Sequence, residues 1–163
     1  SDMIEIWGEG LNREILEAKK SDQFLKEEAA LDMINKSTIE KLKPIARIVF
    51  NIMDEDFGHI KNRLKEIVKM PTYGNSTKSG ADIILDNIDN PRLERKFIIQ
   101  RGIDRGIIEV NTESNSCVWT DLKTYICTVK NVKDSARQVE EVADYSFTAQ
   151  GEKFFDLLKS KVY

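Results

Sequence analysis

Residues 90–110 read NPRLERKFIIQRGIDRGIIEV, and the change of period within them decides the fold. Asn90 suits a helix cap, and Pro91 suits the first turn, where a missing N–H removes no hydrogen bond. Gly106 suits the left-handed position that closes a helix, so the stretch predicts a helix over residues 91–105. Beyond Gly106 the period shortens. Ile107, Ile108 and Val110, then Val118 and Trp119, then Tyr125, Ile126 and Val129 form three short β-rich runs. Turn-forming residues 112–115 and 120–123 separate them, which predicts a three-stranded antiparallel meander.

Toward the N-terminus the chain reads as helix. Residues 11–36 are dense in Glu, Lys, Ala and Leu and predict one or two helices. There Leu11 and Ile15 share a face, and Leu25, Ala29 and Met33 continue its spacing. Ser37 with Glu40 has the form of a capping box, so a new helix is expected at Ser37, kinked or succeeded by another at Pro44. Residues 45–53 are apolar nearly all round, as a buried helix would be. Asp56 is placed to cap a helix carrying Ile60, Leu64, Ile67 and Val68 on one face. Residues 71–80 have loop composition, and Ser79 is placed to cap a short helix after them.

Toward the C-terminus two further helices are expected. One covers residues 135–143; the other is capped by Thr148 and turns Phe154, Phe155, Leu157 and Leu158 inward. The fold class expected is therefore α+β, predominantly helical with one small three-stranded antiparallel sheet. It is read as a single domain, with a helical region 1–58, a central region 59–131 and C-terminal helices 132–163.

Composition narrows the class of protein. The chain has 163 residues, 40% of them hydrophobic and 33% charged, with a net charge of -3, which fits a folded core and excludes a disordered tract. No stretch has the length and apolarity of a membrane span, and the N-terminus lacks the basic start and apolar run of a signal peptide. Two cysteines are too few for a disulfide framework, so a reducing cytoplasm is the expected location. Abundant Ile, Lys and Asn fit an AT-rich genome, such as that of a low-GC bacterium or its virus.

The order of elements over residues 60–129, helices followed by a glycine turn and a small hairpin, resembles a winged-helix domain. The phrase Phe147-Thr148-Ala149-Gln150-Gly151 also resembles the strand-Thr-x-x-Gly-helix ending of some winged-helix repressors. The resemblance implies that helix 91–105 is a recognition helix and residues 112–115 a wing tip. At 100° per residue, however, Leu93 and Phe97 take one side of that helix, Ile99 and Ile103 another and Ile98 a third. Arg92, Lys96, Arg101 and Arg105 do not form one stripe, Glu94 and Asp104 dilute them, and the wing tip carries Glu113.

Other candidate sites are few. Asp54, Glu55, Asp56 and His59 are metal-ligand types, but their spacing matches no calcium loop, and helix capping accounts for the acids. His59 is the sole histidine and has no marked nucleophile beside it. Residues 74–80 end in Lys78-Ser79 ahead of a helix, yet Thr77 stands where a phosphate-binding loop needs glycine. That leaves either a surface loop or a weaker cradle in which Lys78 and backbone amides hold a phosphate. Cys117 and Cys127 face each other if the last turn has the right length, and Tyr73, Trp119 and Tyr125 either stack on bases or pack in the core.

Charge is asymmetric, with a basic middle third between acidic ends. Lys61, Lys65, Lys69, Lys78, Arg92, Lys96, Arg101 and Arg105 are the expected binding set, joined by Arg63 and Arg95 in the same basic stretch. The expected function is a non-enzymatic binding or assembly protein of viral (phage) or mobile-element origin, engaging nucleic acid or an acidic protein through this region. The alternative is a structural component of a virion-like assembly, its N-terminal third and C-terminal helices presenting apolar faces to neighbours. No nucleophile, base and stabiliser assemble into an enzyme, and no cofactor or metal is called for.

Overall fold

In the computed structural model of the protein, the backbone is described from Asp2 to Tyr163 and side chains from Asn12 onward. The elements are α1 (Asp2–Lys36), α2 (Ile39–Pro44), a π-helical turn (Ile45–Val49), α3 (Phe57–Val68), α4 (Gly80–Asn87) and α5 (Pro91–Asp104). They continue with β1 (Ile108–Asn111), β2 (Ser116–Trp119), β3 (Tyr125–Thr128), α6 (Ser135–Ser146) and α7 (Ala149–Val162). The fold is α+β and mostly helical, with one antiparallel sheet in the order β1-β2-β3, as the change of period after Gly106 predicts. Two compact units divide the chain: Ser1–Leu42 with Met53–Ile88, and Lys43–Ile52 with Asp89–Tyr163. The central stretch 59–131 is thereby shared, α3 and α4 falling in the first unit and α5 with the sheet in the second.

The first unit packs α1, α3 and α4 against one another. Its core is Ala30 and Ile34 of α1, Ile60, Leu64 and Ile67 of α3, and Ala81 and Ile84 of α4, all buried. The α3 positions are those the three-four spacing singles out, and both caps form as their residues imply. Asp56 accepts from the His59 amide at 2.9 Å, and Ser79 accepts from the Asp82 amide at 3.1 Å. Replacing Asp56 with alanine is expected to cost about 1 kcal/mol, read from urea unfolding, because an orphan amide loses its acceptor.

Local details differ from expectation where tertiary packing decides. Residues 11–36 belong to a single helix, the first of the two expected alternatives. The expected shared face of Leu11 and Ile15 lies half outside the described residues, since no side chain is described at Leu11. The next helix begins at Ile39, and the Ser37 hydroxyl donates back to the Met33 carbonyl at 2.5 Å, closing α1. The stretch 45–53 is not a helix buried all round. Pro44 has no N–H to offer, the helix widens into a π turn, and Ile52 N–H reaches the Ala46 carbonyl at 2.8 Å. Asn51 then turns left-handed at φ 52°, which its short amide side chain tolerates, and Met53 emerges into solvent.

The second unit is built around α5, which packs on α6, α7, β1 and the π turn. Asn90 caps it through the Arg92 amide at 3.0 Å, and Gly106 takes φ 70° after its end. Phe97, Ile98 and Ile99 enter one apolar core with Ile108, Cys117, Val142, Phe155 and Leu158. Trp119 meets Phe154 edge-on, ring centroids 5.6 Å apart. Phe154, Phe155 and Leu158 point inward as expected from Thr148-capped periodicity, but Leu157 is half exposed, because a helix packed on one side turns the adjacent position outward. The phrase from Phe147 to Gly151 follows a helix and not a strand, with Phe147 at the C-cap of α6.

Candidate functional site

Candidate cations divide between the units. On α3 and its C-cap, Lys61, Lys65 and Lys69 succeed one another at a spacing of four along one side. Lys61 lies over the Phe57 ring at 5.0 Å, and no described ion pair engages Lys65 or Lys69. Lys78 is held by Asp86 at 2.7 Å, which raises its pKa. The neighbouring amides are committed too, since Gly80 N–H donates to the Met70 carbonyl at 2.9 Å and Asp82 N–H to Ser79. The loop is thus tied by its own bonds where a phosphate cradle would need free donors.

In the second unit the cations bind helices together. Arg92 donates to Glu140 at 2.6 Å and also reaches Asp144, and Lys96 meets the other Glu140 oxygen at 2.6 Å. Lys96 and Arg92 hold the Glu140 carboxyl below its ordinary range by hydrogen bonding its charged form. Arg95 donates to the Ser146 carbonyl at 2.8 Å and stacks on Phe155 at 4.1 Å, while Arg105 donates to the Val162 carbonyl. Arg101 lies over Phe97 at 5.1 Å. Along α5 only Pro91, Glu94 and Asp104 are exposed, so the face left to solvent is short and acidic. A helix with no free basic face is poorly made for a nucleic-acid groove. Residues 112–115 at the wing position are exposed, fastened by Asn111, whose side chain accepts from the Glu113 and Ser114 amides, and their one charge is Glu113.

The remaining clusters resolve into local structure. Asp54 takes the Asp56 amide at 2.9 Å and contacts His59 Nδ1 at 3.1 Å. The amide bond and the imidazole lower its pKa, and among the described residues no group of three His, Cys, Asp or Glu side chains converges as a metal site. Cys117 and Cys127 are direct cross-strand partners, as the turn length allows, and both are buried free thiols. Their mutual hydrogen bond and burial push the Cys117 pKa up, the opposite of an activated thiolate. Trp119 packs in the core edge, Tyr73 is half-buried in the loop, and Tyr125 is exposed with its hydroxyl on Thr128 at 2.8 Å.

The least satisfied surface is on α1. Residues 12–22 are exposed on every side of the helix, and Ile15, Leu16, Phe24 and Leu25 are exposed by 46%, 57%, 58% and 60%. Ile15, Ala18, Leu25 and Ala29 make an apolar stripe about a third of a turn from Ala30 and Ile34, which the unit itself buries. One helix therefore carries two apolar faces and uses one. The spacing from Ile15 to Leu25 and Ala29 is visible in the sequence; which face the unit would take is not. Comparison of the chain with protein-family profiles, curated proteins and solved structures finds no match. No helix of the described residues is long and apolar enough to cross a membrane.

Proposed function

We propose that this chain is a non-enzymatic assembly protein that docks on protein through α1, as a structural component of a larger complex. The observation that carries the reading is the apolar stripe of Ile15, Ala18, Leu25 and Ala29, exposed on a helix whose residues 12–22 are exposed on every side. Such a segment has only local propensity to hold it, and an amphipathic helix gains most of its stability from packing its apolar side. The winged-helix resemblance stays at the level of helices beside a three-stranded sheet. The helix it would send into DNA is the core of the second unit, with Arg92, Arg95 and Lys96 spent on α6.

A titration with random duplex and single-stranded nucleic acid at low and high salt tests the reading. Weak binding, unmoved by Lys65→Glu, Lys69→Glu and Arg101→Glu together, is expected. Tight binding that falls steeply with salt and is lost in that triple variant would replace docking on protein with docking on phosphate.

A further inference from the structure

We infer that the occupant of the α1 face is a second copy of this chain, joined in a parallel coiled coil. This rests on the protein-docking reading and names its partner. Ile15, Asp22 and Ala29 recur at every seventh residue, with Ala18 and Leu25 between them, so together they form the alternating seam of a heptad pattern. All are exposed, and the helix meets its own unit from another side, through buried Ala30 and Ile34 and the Lys26–Asp82 ion pair at 3.1 Å. The seam is therefore open while the helix stays anchored.

Charge beside the seam selects the partner and its direction. One flank carries Glu14, Ser21 and Glu28; the other carries Lys19 and Lys26. No described ion pair engages Glu14, Lys19 or Glu28. A parallel copy sets Glu14 of one chain against Lys19 of the other, the relation that stabilises parallel coiled coils. An antiparallel copy would oppose Glu14 to Glu28 and Lys19 to Lys26, like against like. Asp22 interrupts the apolar seam; its own Lys26 lies 3.3 Å away, and in the pair the two Asp22 carboxylates would lie close. That residue weakens the association and keeps it reversible.

Sedimentation over a concentration series, with disulfide trapping, tests the inference. The wild type is expected to approach the mass of two chains as concentration rises. Ile15→Asp with Leu25→Asp should raise the dissociation constant at least about a hundredfold, and Asp22→Leu should lower it about tenfold or more. Because the substituted positions are exposed in the single chain, the unfolding transition of the double variant should match that of the wild type at concentrations too low for pairing. Ala29→Cys should oxidise to a covalent pair in the parallel arrangement, whereas in an antiparallel pair centred on residue 22 the two thiols would lie about 20 Å apart. A single-chain mass throughout, association indifferent to Ile15 and Leu25, or association without trapping at Ala29 each overturns the inference. A single-chain mass leaves docking on a different protein standing, since that reading falls only on the nucleic-acid titration.

Discussion

Replacing Ile98 with alanine is expected to lower stability by about 3 to 4 kcal/mol, through lost transfer free energy and the cavity left behind. Ile98 is fully buried in α5, between residues 97 and 99 that are buried as well, so the helix has no slack with which to fill the space. The change should appear as a lower urea midpoint with little change in slope. Lys96→Ala on the same helix should cost about 1 kcal/mol or less, since its ion pair with Glu140 is partly exposed. Ile98→Lys should leave the second unit unfolded, because an ammonium group there has neither water nor a counter-ion. If Ile98→Ala were neutral, α5 would have a free face after all, and the groove-binding role would regain its main support.

What the chain discloses before folding follows the range of the forces. The ends of α5 were legible because Asn90, Pro91 and Gly106 act within a turn of themselves, and Asp56, Ser79 and Thr148 were legible caps for the same reason. The meander was legible because short β-rich runs broken by turn residues have few other uses, but the pairing of Cys117 with Cys127 hung on the turn length, which the structure supplies. The π turn was not legible. It depends on how residues 43–52 join a unit whose other residues begin at Asp89, a matter of long-range packing. The fate of the cations was equally hidden, since Arg92, Arg95 and Lys96 find their partners on α6, around residues 140–146. Counting charge along the chain therefore exaggerated the basic middle. The apolar stripe on α1 was written plainly in the spacing of Ile15, Leu25 and Ala29, but only the packing of Ala30 and Ile34 shows that it is left over.

Gly151→Ala is expected to cost more than about 3 kcal/mol, beyond the usual range for overpacking, because the obstruction is backbone. A Cβ at Gly151 would stand 1.7 Å from the Tyr145 carbonyl oxygen and 2.5 Å from its carbon, where the start of α7 crosses the end of α6. No rotamer relieves that contact, so the two helices must separate, and Phe154 and Phe155 on the next turn must move out of the core with them. Gly74→Ala supplies the comparison. Gly74 has φ 56° and nothing within 4 Å of an added Cβ, so its substitution should cost only about 1 kcal/mol of backbone strain. Thr148→Ala, which removes the acceptor 3.0 Å from the Gly151 amide, should cost about 1 kcal/mol. Thermal unfolding of the three variants measures the ordering, and a Gly151→Ala protein as stable as Thr148→Ala would refute the close crossing. The Thr-x-x-Gly spacing then has a physical cause within this chain: threonine starts α7, and three residues later only glycine lets that helix lie against the end of α6.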